Sequence, residues 1–143
     1  MKEIEVFTDG ACRGNPGVGG WGVLLIIDGE EITFFGGELD TTNNRMELKA
    51  AIKALEFFDD NVSLSITTDS NYVRDGITKW LTNWKKKNWV TASKKPVKNK
   101  DLWEQLDNLN SFHNVSWQWV KAHAGHRENE IADMLANKGI DEL

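Results

Sequence analysis

Four acidic residues in four separate segments, Asp9, Glu47, Asp69 and Asp133, stand where a folded chain tolerates an isolated charge least. Asp9 follows Phe7-Thr8 where an alternating strand pattern runs into Gly10, and Asp69 follows Thr67-Thr68 at the end of a second such pattern. Glu47 heads a helical stripe whose i+4, i+7 and i+11 positions are Ala51, Ala54 and Phe58, and Asp133 sits between Ala132 and Met134. Taking a carboxylate out of water is costly, and grouping several raises the cost unless cations neutralise them. Singly, each residue has an ordinary explanation. Glu47 can benefit from a helix dipole, Asp69-Ser70 can cap a helix, and Asp133 can be an exposed helical residue. Together those explanations require four coincidences, so a carboxylate-only metal site is expected.

The 143 residues suit one domain with one core. Cys12 is the sole cysteine, which excludes an internal disulfide, and no Cys/His spacing matches a zinc site. Met1-Lys2-Glu3-Ile4-Glu5 carries two acids where an export signal needs apolar residues, and the longest hydrophobic run, Val23 to Ile27, is far too short to span a membrane. A cytoplasmic location is expected. The net charge of −5 argues against a nucleic-acid partner only until its distribution is considered. Residues 79–100 hold eight lysines and no acid, a concentrated positive patch in an otherwise acidic chain.

Ile4, Val6 and Thr8 alternate with Glu3, Glu5 and Phe7 as in a strand. Gly14-Asn15-Pro16-Gly17 with Gly19-Gly20 predicts a turn, Trp21 to Ile27 a second strand, and Ile32 to Leu39 a third after Asp28-Gly29. Thr41-Thr42-Asn43-Asn44 opens a helix that Met46 to Phe58 continues. Val62 to Thr67 predicts a fourth strand, and Asn71 to Trp84 a helix that Gly76 can break. An irregular lysine-rich stretch to Lys100 precedes a helix marked by Leu102, Leu106 and Leu109. Val115 to Val120 predicts a fifth strand and Glu128 to Lys138 a last helix. A meander followed by right-handed crossovers gives an α/β fold: a mixed five-stranded sheet, part antiparallel and part parallel, with helices packed on it.

Several ordered segments resemble type 1 ribonuclease H, as in bacterial ribonuclease HI. They are Phe7-Thr8-Asp9-Gly10-Ala11-Cys12 with Gly14-Asn15-Pro16-Gly17, Thr42-Asn43-Asn44-Arg45-Met46-Glu47-Leu48, and Thr68-Asp69-Ser70-Asn71-Tyr72-Val73. Trp119-Val120-Lys121-Ala122-His123-Ala124-Gly125-His126 followed by Asn129-Glu130 and Asp133 completes the set. The lysine- and tryptophan-rich insert from Trp84 to Trp103 is similar to that family's basic protrusion. The resemblance spans nearly the whole chain and implies a single ribonuclease H domain over 1–143, with helices on both faces of the sheet and a protrusion at about 79–100.

It further implies an endonuclease that cuts the RNA strand of RNA–DNA hybrids and leaves 5′-phosphate and 3′-hydroxyl ends. Asp9, Glu47, Asp69 and Asp133 would bind two Mg2+ ions, with Mn2+ an acceptable substitute, and His123 would assist proton transfer or product release. Cys12, Arg13, Asn15, Thr42, Asn43 and Asn44 fall near the hybrid, where short amides can read ribose 2′-hydroxyls and a helix start can meet a phosphate. Asn71 stands where bacterial relatives commonly carry glutamine. Lys85, Lys86 and Lys87 around Trp80 and Trp103 suit backbone contact with little sequence preference. Glu130 and His126 are expected to be a solvated charge and a helix-start residue. A DNA-strand nuclease with the same carboxylates and a binding module with a vestigial metal site are the competing readings. Nothing in the chain demands an oligomer, and a monomer is expected.

Overall fold

Strand alternation is visible directly in β1 (Ile4–Arg13), where Ile4, Val6 and Thr8 are buried and Glu5 and Phe7 are half-buried. A computed structural model describes residues 3–121 and 126–143. β1 pairs antiparallel with β2 (Gly17–Ile27), which pairs antiparallel with β3 (Glu30–Thr41). The two-residue link Asp28-Gly29 has φ of 50° and 88°, the left-handed pair that a tight hairpin between twisted strands requires. β4 (Ser63–Thr68) joins the other side of β1 in parallel, and β5 (Asn114–Trp119) joins β4 in parallel, so the order is β3-β2-β1-β4-β5.

α1 (Asn43–Glu56) buries Met46, Leu48, Ala50, Ala51, Ile52, Ala54 and Leu55, a face broad enough to cover Val6, Val23, Leu25 and Ile66 of the sheet. Burying each large aliphatic chain contributes about 1.5–3 kcal/mol, which is what holds the helix down. α5 (Arg127–Asp141) lies on the opposite face, and glycines make its seat. A Cβ at Gly20 would run into the Ala136 carbonyl oxygen, and one at Gly22 would meet the Ala132 carbonyl oxygen at 2.5 Å. Gly19, next to Gly20, faces the α1 side instead, 2.9 Å from Met46 Cγ if given a Cβ. The expected turn is therefore shorter than predicted. It ends at Pro16, and Gly19 and Gly20 are strand residues suited to close helix approach rather than to bending.

The stretch from Asn71 to Trp84 does break at Gly76. α2 (Asn71–Asp75) gives way to a π-helical turn over Gly76–Trp80 and then to α3 (Leu81–Lys86). α4 (Lys100–Phe112) packs at this point: the six-membered ring of its fully buried Trp103 occupies the space that a Cβ on Gly76 would need. Between α3 and α4 the lysine-rich segment is irregular as expected. It is shaped by left-handed Asn88, Trp89, Lys94 and Asn99 and by a bridge between Val90 and Pro96. No helix among the described residues is long and apolar enough to cross a membrane.

Gly76→Ala should lower stability by about 1–3 kcal/mol, because the added methyl must displace a ring that has no open side. Urea unfolding measures it; a midpoint equal to that of the parent protein would show that Trp103 is not the obstacle.

Candidate metal and nucleic-acid site

The sheet register delivers the first two carboxylates. Phe7 pairs with Thr67, so Asp9 lies level with Asp69: Asp69 follows the end of β4, whereas Asp9 is inside β1, which continues through Gly10 to Arg13 instead of ending there as expected. Glu47 arrives from α1. Thr42 caps that helix, accepting from the Arg45 N–H at 3.2 Å. Gly10 lets the helix close in, since any Cβ there would collide with the Glu47 backbone nitrogen. The Gly10 N–H then donates to both Asp9 Oδ1, at 2.9 Å, and Glu47 Oε1. Asp133 arrives from α5: its neighbour Ala132 rests on Gly22, which is Asp9's partner across the ladder.

Ligand oxygens of Asp9, Glu47 and Asp69 lie within 4.8 Å of one another, and Asp133 stands near enough to Asp9 to help raise its pKa. All four line one open cleft of about 370 Å³. Glu47 is buried, Asp9 and Asp69 half-buried, and Asp133 exposed. Burial, and next the charge of Asp69, push the Asp9 carboxyl up to about 7. Burial also lifts Glu47 well above the usual carboxylate range, with the Asp9 charge adding to it. Among the described residues no cationic side chain lines the cleft, so the crowded carboxylates form a hard-oxygen donor set. Mg2+ fits it by ligand type, and Mn2+ accepts the same ligands.

The expected substrate contacts divide into groups. Asn43, Asn44 and Asn71 line the same cleft as the carboxylates, together with Tyr72. Asn15 and Thr42 do not line it and are occupied at the start of α1, Asn15 Oδ1 accepting from the Asn43 N–H at 2.9 Å. Cys12 is half-buried against the Thr41 carbonyl, and Arg13 is paired with Asp141 of α5 at 2.8 Å. Trp80 is half-buried, edge-on to Tyr72. Lys85 pairs with Asp107 at 3.4 Å, while Lys86 and Lys87 are exposed. Trp103 departs from expectation: it is wholly buried, its Nε1–H donating to Tyr72 Oη at 2.9 Å, so it supports the basic segment from beneath and offers no surface to a ligand. His123 lies outside the described residues. Glu130 and His126 are exposed, as expected of a solvated charge and a helix-start residue.

Tyr72 and Asn137 went unpredicted. Asn137 donates to the Asp133 carbonyl at 3.0 Å and reaches its Oδ1 at 3.5 Å. Its position four residues after Asp133, on the same helix face, is the signal that could have found it. Tyr72 directly follows Asn71, and only the turn of α2 decides that both face the cleft.

A model of the family described as RNase H matches residues 1–141. A ribonuclease H from Halorhodospira halophila is 63% identical over 140 residues, covering 98% of this chain and 94% of the relative. One from Hydrogenovibrio crunogenus is 61% identical over 143 residues, covering 100% and 99%. Among solved structures, LC9-RNase H1, a type 1 RNase H with the type 2 active-site motif, superposes with a TM-score of 0.86 at 33% identity. That match covers 97% of this chain and 72% of the other. RNase H1 from the halophilic archaeon Halobacterium salinarum gives a TM-score of 0.72 at 26% identity, covering 99% of both chains.

The raised Asp9 pKa sets a pH dependence. Between its ordinary value of 3.8 and about 7 the folded state holds more protons than the unfolded state, so metal-free stability should fall as pH rises through that window. Mg2+ should raise the melting temperature more at pH 8 than at pH 5, because protons compete for the same oxygens. Thermal melts with chelator and with Mg2+ test this; equal Mg2+ shifts at both pH values would contradict it.

Proposed function

The chain belongs to the RNase H family, and on that premise we propose that it is an endonuclease hydrolysing the RNA strand of RNA–DNA hybrids, with 5′-phosphate and 3′-hydroxyl products. The observation that carries this reading is the convergence of Asp9, Glu47 and Asp69 oxygens within 4.8 Å, in a cleft that the amide-bearing start of α1 also lines.

Asp9, Glu47, Asp69 and Asp133 would hold two Mg2+ ions. When bound, such ions supply the positive charge that makes a water nucleophilic near neutral pH and stabilises the departing ribose 3′ oxygen. The chain's own residues do the rest. The Gly10 N–H orients the Asp9 and Glu47 carboxylates toward one point. Asn43 and Asn44, presented by a capped helix, supply amides that would meet the minor groove of a hybrid, where ribose 2′-hydroxyls distinguish RNA from DNA. Asn71, at the start of α2, adds a further amide to the same cleft. The reaction breaks the phosphorus–O3′ bond and adds the water oxygen to phosphorus, with no covalent enzyme intermediate. His123 would assist proton transfer or product release. Cys12, Arg13, Asn15, Thr42 and Trp80 border the hybrid path in this reading. The whole chain acts as one domain, and Lys85, Lys86 and Lys87 on its protrusion meet phosphates without reading sequence.

Two experiments bear on this. With duplexes labelled on one strand, the protein should cut only the RNA strand of a hybrid and only with a divalent cation. Asp9→Asn should abolish cutting while leaving hybrid binding measurable. Preferential cutting of duplex DNA would exclude the assignment. Separately, Lys85, Lys86 and Lys87 changed together to alanine should weaken hybrid binding and reduce the slope of log Kd against log salt by about 0.9 for each phosphate that is no longer neutralised. An unaltered slope would remove those lysines from the interface.

A further inference from the structure

Arg45 lies in the first turn of α1, between the cleft-lining Asn44 and Glu47, yet its side chain turns away from the carboxylates. Its guanidinium grips α4 instead. Nη1 donates to Asp101 Oδ1 at 3.0 Å and Nη2 to Asp101 Oδ2 at 2.7 Å, a two-pronged pair that a lysine cannot reproduce. Nη1 also reaches Asn99 Oδ1 at 3.2 Å. The Arg45 bonds hold the Asp101 carboxyl below the usual carboxylate range.

Asn99 is the point where the lysine-rich segment enters α4, and its backbone is left-handed at φ 59°. Asn tolerates that conformation, and its side chain is held from both ends. Its Oδ1 accepts from Arg45, and its Nδ2 donates to Tyr72 Oη at 3.1 Å. Tyr72 Oη also accepts from Trp103 Nε1, so both acceptor sites of the phenol are taken and the ring is set in the cleft wall. One arginine thus connects the helix that presents Glu47, the exit of the basic segment, and a wall of the cleft.

We propose that Arg45 is a positioning residue that keeps the lysine-rich protrusion and the carboxylate cleft in fixed register, so that one hybrid engages both at once. This rests on the hybrid-hydrolysis reading above. Without the clamp each half keeps its own side chains, but the two no longer meet phosphates at matched spacing. Affinity gained by engaging both falls, while chemistry on a bound hybrid stays the same.

The test uses the full chain with Arg45→Lys and, separately, Asp101→Ala. Arg45→Lys keeps the charge and removes the fork; Asp101→Ala removes the partner and leaves Arg45 its bond to Asn99. Three measurements are compared with the parent: kcat and KM on a hybrid, the salt slope of hybrid binding in an Asp9→Asn background, and the melting temperature. The expected result is KM raised roughly fivefold to tenfold with kcat within about twofold, and a salt slope shallower by about 0.9, the share of one phosphate. A lowered melting temperature with KM and salt slope unchanged would overturn the proposal and leave Arg45 a stability residue. So would an effect confined to kcat. A parent protein that leaves hybrids uncut would overturn the functional reading itself, an outcome distinct from either of these.

Discussion

Close approach of helix backbone to sheet backbone is the constraint on which this structure depends. Gly10 lets α1 settle against β1 until Glu47 shares an N–H with Asp9, and Gly20 and Gly22 let α5 settle on the other face so that Asp133 lines the same cleft. A methyl group at Gly10 or Gly22 would push one helix outward and open the cluster. Packing of small residues therefore sets the spacing of the charged ones. The stability that holds the arrangement comes from apolar burial under α1, remote from the charges it positions.

That division explains how the fold tolerates its own site. Carboxylates crowded at one end of the sheet raise each other's affinity for protons and for divalent cations alike. The core beneath them is a cluster of apolar side chains and does not depend on their charge. A site of this kind is under electrostatic tension when empty of cations and relaxed when they bind, so the same repulsion that costs stability supplies affinity for metal.

The basic segment is organised by a different interaction. Tyr72, Trp80, Trp84, Trp89 and Trp103 form a continuous series of ring contacts with centroids 5.4–6.2 Å apart. Aromatic packing gives this loop a shape that its left-handed residues would not hold alone. Trp84 touches three of the other rings, and fully buried Trp103 lies against Gly76, where the π-helical turn begins.

Local order is written in the chain itself. Residue alternation marks the strands, Thr42 and Ser70 mark helix starts, and Asp28-Gly29 marks the hairpin, because each depends on neighbours within a few residues. Asp69 and Glu47 were legible for a related reason: a carboxylate at a strand end or on an apolar helical stripe is conspicuous wherever the chain goes. Long-range contact was not legible. That Gly19 and Gly20 belong to a strand, that Trp103 packs under the lysines, that Asn137 meets Asp133 and that Arg45 holds Asn99 all follow from which surfaces meet after folding. Those choices rest on shape and backbone clearance between segments far apart in the chain, and a one-dimensional pattern carries no measure of either.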